Sequence, residues 1–309
     1  MTDLARAESI LRAACGDRVR TRFPMAPLTT FRIGGPAALY LEPESESDLD
    51  VASEAVVTAD LPFVVIGKGS NVLVSDRGFR GLVLRLGRGF RWAARDGALL
   101  TAGGAMPLPA LAGVALRHAL SGLSFGVAIP ATVGGALTMN AGAHASEMAD
   151  VVTSVEVYRL EGRGTGSIPA AAAGFSYRRS DLPADSVVTG ATVTLRPGNP
   201  AEIRVAMDAA REWRRRTQPL AEPNCGSVFR NPPRDHAARL IESAGLKGAR
   251  IGAAEVSRKH ANFIVARPGG SADDVRSLIA RIQDEVEARS GVRLEPEVRL
   301  VGEFDHAAG

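Results

Sequence analysis

The chain has 309 residues, 45% hydrophobic and 23% charged, with 33 glycines; that length suits two or three domains with a real core and excludes a disordered or fibrous chain. A net charge of +3 and 5% aromatic residues leave neither the basic excess nor the stacking platforms of a general nucleic-acid binder. No stretch reaches the ~18 consecutive apolar residues of a membrane span, and Asp3, Arg6, Glu8 and Arg12 interrupt the apolar core a signal peptide needs.

Residues 4–14 have helical spacing, and a turn-rich entry leads to Phe31-Arg32-Ile33-Gly34-Gly35. A strand over 37–41, a helix over 45–58 with Ser45 or Ser47 as cap, and a short buried strand over 63–66 ending at Gly67 make a β-α-β opening. After Gly81 the pattern changes to short strands, 82–86, 90–94 and 98–102, followed by a helix over 107–118. The stretch 121–145 is rich in Gly and Ala, carries no charged residue and has no clean period; it reads as a buried backbone-rich loop or a badly packed core. Strands over 151–158 and 187–195 flank Phe175-Ser176-Tyr177-Arg178-Arg179-Ser180. A helix over 202–217 ends on Arg214-Arg215-Arg216, favourable charge for a helix C-terminus. The remainder reads as an α+β unit with helices over 237–244 and 272–290 and a strand over 261–265.

Cys15 and Cys225 make neither a disulfide framework nor a four-ligand metal site, so a reducing, cytoplasmic compartment and no metal are expected. The chemistry concentrates elsewhere. Gly67-Lys68-Gly69-Ser70-Asn71 follows a short strand, and its small residues let backbone N–H groups approach a phosphate. It has neither the Walker spacing nor GxGxxG, and a plain glycine turn is the alternative. Ile129 to Ala143 is a second small-residue stretch, which with the first can sandwich the diphosphate and ring of a dinucleotide-like cofactor; close crossing of chain segments is the structural alternative. Pro223 to Pro232 places Cys225, Ser227, Arg230 and Asn231 in an irregular segment. A nucleophilic role for Ser227 fits poorly, because Gly-x-Ser-x-Gly is absent. The serine can instead be a general acid toward a strongly basic carbanion, provided that an arginine such as Arg178 and a carboxyl group stand by. Glu295 and Glu297 offer that carboxyl, on one side of the chain if it is extended; surface pairing with Arg293 and Arg299 is the plain alternative.

In this order, over about residues 28–303, these segments resemble the UDP-N-acetylenolpyruvoylglucosamine reductases, the MurB family of UDP-N-acetylmuramate dehydrogenases. The matching stretches include Thr30 to Gly35, Gly67 to Val74, Ile129 to Gly142, Tyr177 to Ser180, Gly226 to Pro232, His260 to Val265 and Leu294 to Arg299. The resemblance implies an α+β chain: an FAD-binding domain of p-cresol methylhydroxylase type in two α+β subdomains, 1–80 and 81–200, a connecting helix 201–217, and a C-terminal α+β substrate-binding domain 218–309. It implies FAD as cofactor, NADPH as co-substrate and reduction of an enolpyruvyl UDP-sugar by a monomer without nucleic-acid or membrane partners. Motif by motif, it puts the catalytic roles on Arg178, Ser227 and Glu297. FAD contacts fall on Gly67, Gly69, Ser70, Asn71, Thr132, Gly134, Gly135, Asn140 and Gly142. Substrate contacts fall on Tyr177, Gln218, Arg230, Asn231 and His260, with Arg230 in place of the usual lysine. The short spacing from Ser180 to Val187 resembles the class that lacks a tyrosine-bearing substrate loop. Lys68, Ala128, Ala131 and His144 depart from the family pattern. A paralogue acting on another enolpyruvyl compound, an FAD-dependent oxidase and a non-catalytic flavin or nucleotide-sugar binder are the alternatives.

Overall fold

The structure is a computed structural model that describes residues 2–304. They divide into two compact units. The first gathers the segment ending at Thr21 with Leu39–Lys68 and Gly81–Arg214; the second gathers Arg22–Ala38, Gly69–Arg80 and the segment beginning at Arg215.

In the first unit, local signals start the helices. Asp3 accepts from the Arg6 N–H to open the helix Leu4–Cys15, and Ser45 accepts from the Asp48 N–H to open Glu46–Thr58. Both helices turn an apolar stripe inward: Ala7 and Leu11 from one and Leu49, Ala52 and Val56 from the other share a core with Leu82 and Leu84. Phe63–Val65 pairs in parallel with Leu82 to Leu84, and the strand Phe79–Leu84 thereby stands between it and Pro36–Leu41, so the two strands of the expected β-α-β opening are not neighbours in the sheet. A five-stranded antiparallel sheet follows in the order Gly164–Pro169, Val152–Arg159, Ser186–Thr194, Leu99–Gly103, Ala93–Asp96. One face, carrying Leu100, Ala102, Val155, Val157 and Val193, forms a core with Leu108, Leu111 and Ala112 of the helix Leu108–Arg117 and with Val133, Ala136 and Leu137 of the helix Val133–Thr138.

The Gly/Ala-rich stretch thus has structure: a 3-10 turn Ser124–Ala128, the six-residue helix Val133–Thr138, and a two-residue hairpin pairing Gly142 and Ala143 with Glu147 and Ser146. Its periodicity is illegible because no piece exceeds two turns. Two expected strands are shorter than expected. Phe90 closes a 3-10 turn, Arg88–Phe90, so the strand begins at Ala93. The strand expected over 261–265 is Ile264–Ala266, because a loop precedes it in which Phe263 donates to the His260 carbonyl at 3.0 Å. The edge strand Gly164–Pro169 is exposed and nearly free of large apolar side chains, so it gives no alternating signal.

In the second unit the helix Ala272–Ser290 carries a capping box between Ser271 and Asp274 and ends at Gly291 with φ +70°. Val275, Leu278, Ile279 and Ile282 pack on Leu240, Ile241, Val256 and Ile264, and Phe31 and Leu73 enter the same core from far upstream. Arg299–Val301 pairs in parallel with Val72–Val74. Ala254–Val256 is the middle strand of a three-stranded sheet, between Arg250–Ile251 and Ile264–Ala266. No described helix is long and apolar enough to cross a membrane.

Candidate active site

In the second unit the chain around Ser227 lies between two partners. On one edge, Glu297 donates its N–H to the Val228 carbonyl at 2.7 Å and Arg230 donates to the Glu295 carbonyl at 2.9 Å; Phe229 and Pro296 form the bridge between them. On the other edge the Val228 N–H donates to the Asn262 carbonyl at 2.9 Å. Half-buried Ser227 and Glu297 therefore stand on adjoining segments locked in register through Val228. Gly226, at φ +79°, has only the Ser70 carbonyl within 4 Å of a Cβ built on it, at 3.9 Å, so the approach to Ser227 is open on that side. Cys225 is fully enclosed, and burial, reinforced by the Glu297 carboxylate, pushes its thiol far above the ordinary range; it is a packing residue, not a nucleophile.

Asn71 joins this cluster: its Nδ2 donates to the Glu297 carbonyl at 3.1 Å and its own carbonyl accepts from the Arg299 N–H at 3.1 Å. The Gly69 carbonyl accepts from Thr30 at 3.0 Å. Gly69 has φ +61°, and a Cβ there would fall 2.0 Å from the Leu28 carbonyl oxygen, so only glycine fits. With these carbonyls fixed, the N–H groups of Gly69, Ser70 and Asn71 donate to no acceptor among the described residues. Three successive N–H donors left free by the protein are a donor set that suits an anionic oxygen, and they fit the diphosphate of FAD.

The expected substrate residues of this unit are placed as follows. Arg230 has a buried Nε without a partner and sits 3.7 Å from the Glu295 carboxylate. Asn231 Oδ1 accepts from the Ala237 N–H at 3.1 Å, holding the start of the helix Ala237–Ser243. His260 accepts at Nδ1 from the Asn262 N–H at 3.3 Å, and burial, then the Lys247 cation, hold its pKa below the ordinary value, so it is neutral near pH 7. Gln218 is half-buried, its carbonyl accepting from Leu220 at 3.0 Å.

In the first unit, a Cβ on Gly67 would meet Thr132 Oγ1 at 2.5 Å, so the glycine lets Thr132 approach closely. Thr132 caps Val133–Thr138 by accepting from Gly135 at 3.2 Å; Val133 donates to the Met106 carbonyl at 2.8 Å and Gly134 to that of Gly104 at 3.0 Å. The N–H groups at this helix start are thus engaged within the protein, and the glycines serve close packing. Asn140 is fully buried at φ +39°, with Nδ2 donating to the Ser176 carbonyl at 3.0 Å and Oδ1 accepting from Ala149 at 2.9 Å. It holds the turn that presents Tyr177 and Arg178. Ser180 Oγ donates to the Thr138 carbonyl at 2.9 Å, and Ser176 and Arg179 exchange backbone bonds at 3.0 Å, so the turn is tied on three sides. Arg178, at φ +58°, donates through Nη2 to the Gly142 carbonyl at 2.9 Å while its guanidinium lies 5.0 Å from the Tyr177 ring centre. The organising residues Asn262, Thr30 and Ser180 carried no signal of their own in the sequence, because their hydrogen-bond partners lie 33 or more residues away.

A five-stranded antiparallel sheet, a loop of free backbone N–H donors, and a serine segment held in register with a glutamate segment are the parts of an FAD-dependent oxidoreductase. The family model of an FAD binding domain matches residues 37–165, and that of the UDP-N-acetylenolpyruvoylglucosamine reductase C-terminal domain matches 218–301. A protein of Anaeromyxobacter sp. named UDP-N-acetylenolpyruvoylglucosamine reductase is 47% identical over 281 residues, 91% of this chain and 88% of that one. One of Symbiobacterium thermophilum, named as reductase 2 of that kind, is 46% identical and covers 96% of each chain. The crystal structure of the MurB reductase from Thermus caldophilus superimposes with a TM-score of 0.82 at 37% identity, covering 92% of this chain and 99% of that one. The chain belongs to the UDP-N-acetylenolpyruvoylglucosamine reductase family.

Proposed function

We propose that this chain carries out the NADPH-dependent, FAD-mediated reduction of UDP-N-acetylenolpyruvoylglucosamine to UDP-N-acetylmuramate, a step of peptidoglycan precursor synthesis. The observation that carries the reading is the locked register of Ser227 and Glu297 through Val228, with the bond from Glu297 N–H to Val228 at 2.7 Å. Bound FAD would supply the hydride chemistry, from NADPH to C3 of the enolpyruvyl group. The free N–H groups of Gly69, Ser70 and Asn71 hold its diphosphate, and Gly67, Thr132, Gly134, Gly135, Asn140 and Gly142 shape the rest of its seat. Ser227 gives its proton to C2, and Arg178 and Glu297 stabilise the charge that develops on the substrate carboxyl group. Tyr177, Gln218, Arg230, Asn231 and His260 bind the sugar nucleotide; the engaged Oδ1 of Asn231 leaves its Nδ2 as the donor. The working divisions are two FAD-binding subdomains, 1–80 and 81–200, the linking helix 201–217 and the substrate-binding region 218–309, in a monomer acting in the cytoplasm on a UDP-sugar, without nucleic-acid or membrane partners.

The test is anaerobic: the yellow protein is bleached with NADPH and mixed with the enolpyruvyl sugar nucleotide. The expected result is reoxidation of the flavin with one product formed per flavin. Flavin that stays reduced sinks the proposal, and rapid reoxidation by oxygen with an alcohol substrate points to an oxidase instead.

A further inference from the structure

All four polar groups of Asn262 are engaged around one segment. Its N–H donates to His260 Nδ1 at 3.3 Å and its carbonyl accepts from the Val228 N–H at 2.9 Å. Its side chain closes a two-bond ring on the next residue, Phe229: Oδ1 accepts from the Phe229 N–H at 2.9 Å, and Nδ2 donates to the Phe229 carbonyl at 2.8 Å. The residue is 4% exposed, so water does not compete for these bonds. The opposite edge of the same segment holds Glu297 through the Val228 carbonyl. A single side chain therefore fixes the backbone from which Ser227 projects and against which Glu297 is registered.

We propose that Asn262 is a positioning residue for proton delivery: its clamp on Phe229 sets the aim of the Ser227 hydroxyl relative to the Glu297 carboxyl. This rests on the reading of Ser227 as proton donor. The amide is required because the ring needs an acceptor and a donor on one short side chain. Aspartate keeps the acceptor but sets a carboxylate against the Phe229 carbonyl; alanine leaves a buried N–H and a buried C=O unpartnered. A segment freed on that edge shifts, and a misplacement of about 1 Å in a reacting group costs on the order of 100-fold in rate.

The experiment follows the two half-reactions separately by stopped flow on FAD-loaded Asn262→Ala and Asn262→Asp. Flavin reduction by NADPH is expected to stay within about 2-fold of the parent, while reoxidation at saturating enolpyruvyl substrate falls roughly 30- to 100-fold, in kcat far more than in KM, with a larger solvent deuterium isotope effect. Asn262→Asp is expected to fall in between, and it decides the matter if the alanine variant does not fold. Glu255→Gln, which removes a buried acidic partner of Arg250 and Arg267 in the same unit, is expected to leave both half-reactions unchanged. Parental reoxidation in the Asn262 variants, equal slowing of both half-reactions, or equal slowing in Glu255→Gln overturns the inference. Unchanged reoxidation in Ser227→Ala overturns the reading of Ser227 itself, and the inference with it.

Discussion

Serine is a poor acid in water, and what distinguishes Ser227 is its setting. It is half-buried between Gly226, whose left-handed turn opens the approach, and Val228, whose two backbone groups are both engaged. A general acid placed in this way is worth about 100- to 10,000-fold in the step it assists. Ser227→Ala is therefore expected to slow flavin reoxidation by that order while flavin content and reduction by NADPH stay at the parental level. Parallel loss in both half-reactions would mean that the hydroxyl serves cofactor seating instead. Cys225, two residues away, is reached by no such argument: it is 2% exposed and its thiol is pushed far up by burial. Ser227 and Glu297 were legible as candidates because their residue types in those motifs suit one kind of chemistry. Asn262 lies within one of those motifs yet shows no role in sequence, since a lone asparagine before an apolar strand declares nothing until its partner, 33 residues away, is known.

At the scale of elements, helix ends carry much of what local sequence encodes. Ser45 opens Glu46–Thr58, and Asp48 in its first turn accepts from the Glu44 N–H at 2.7 Å while pairing with Arg18 through two oxygens at 2.6 and 2.7 Å. The Arg18 hydrogen bonds chiefly, helped by the Glu44 N–H, hold the Asp48 carboxyl below the usual carboxylate range against the opposing effect of burial. A depressed carboxyl stabilises the fold fully above its unfolded value of about 3.9 and loses that contribution as pH falls through the lower folded value. Asp48→Asn is thus expected to lower stability by about 1–2 kcal/mol near pH 7, discounted because Arg18 is partly exposed, and the deficit should shrink as pH falls below the unfolded value of about 3.9. Thermal melts of both proteins from pH 2 to 7 measure it; a constant difference across that range would refute the linkage. The helices Glu46–Thr58 and Ala272–Ser290 were readable because their caps and stripes are local. The short helix Val133–Thr138 and the edge strand Gly164–Pro169 were not, because neighbours hold the first and solvent covers the second.

On the scale of the molecule, the second unit is assembled from three stretches of sequence, and its core does not close without the upstream two. Phe31 and Leu73 are 1% and 0% exposed within a cluster otherwise drawn from the C-terminal region. The strand Arg299–Val301 has Val72–Val74 as its parallel partner, and the Glu297 carbonyl has Asn71 as its donor. Sequence could not announce this, because pairing across more than two hundred residues leaves no local periodicity. Burying a leucine or phenylalanine is worth about 1.5–3 kcal/mol, and emptying such a site costs about 3–5 kcal/mol where the cavity stays open. Loss of both side chains and an edge pairing consumes most of the roughly 5–15 kcal/mol by which a domain is stable. A fragment of residues 215–309 expressed alone is therefore expected to lack a cooperative denaturant transition and dispersed amide resonances. Joining residues 22–38 and 69–80 to it through flexible linkers should restore both. A fragment that unfolds cooperatively without them would show that the C-terminal segment holds its own core and that the upstream stretches merely cover it.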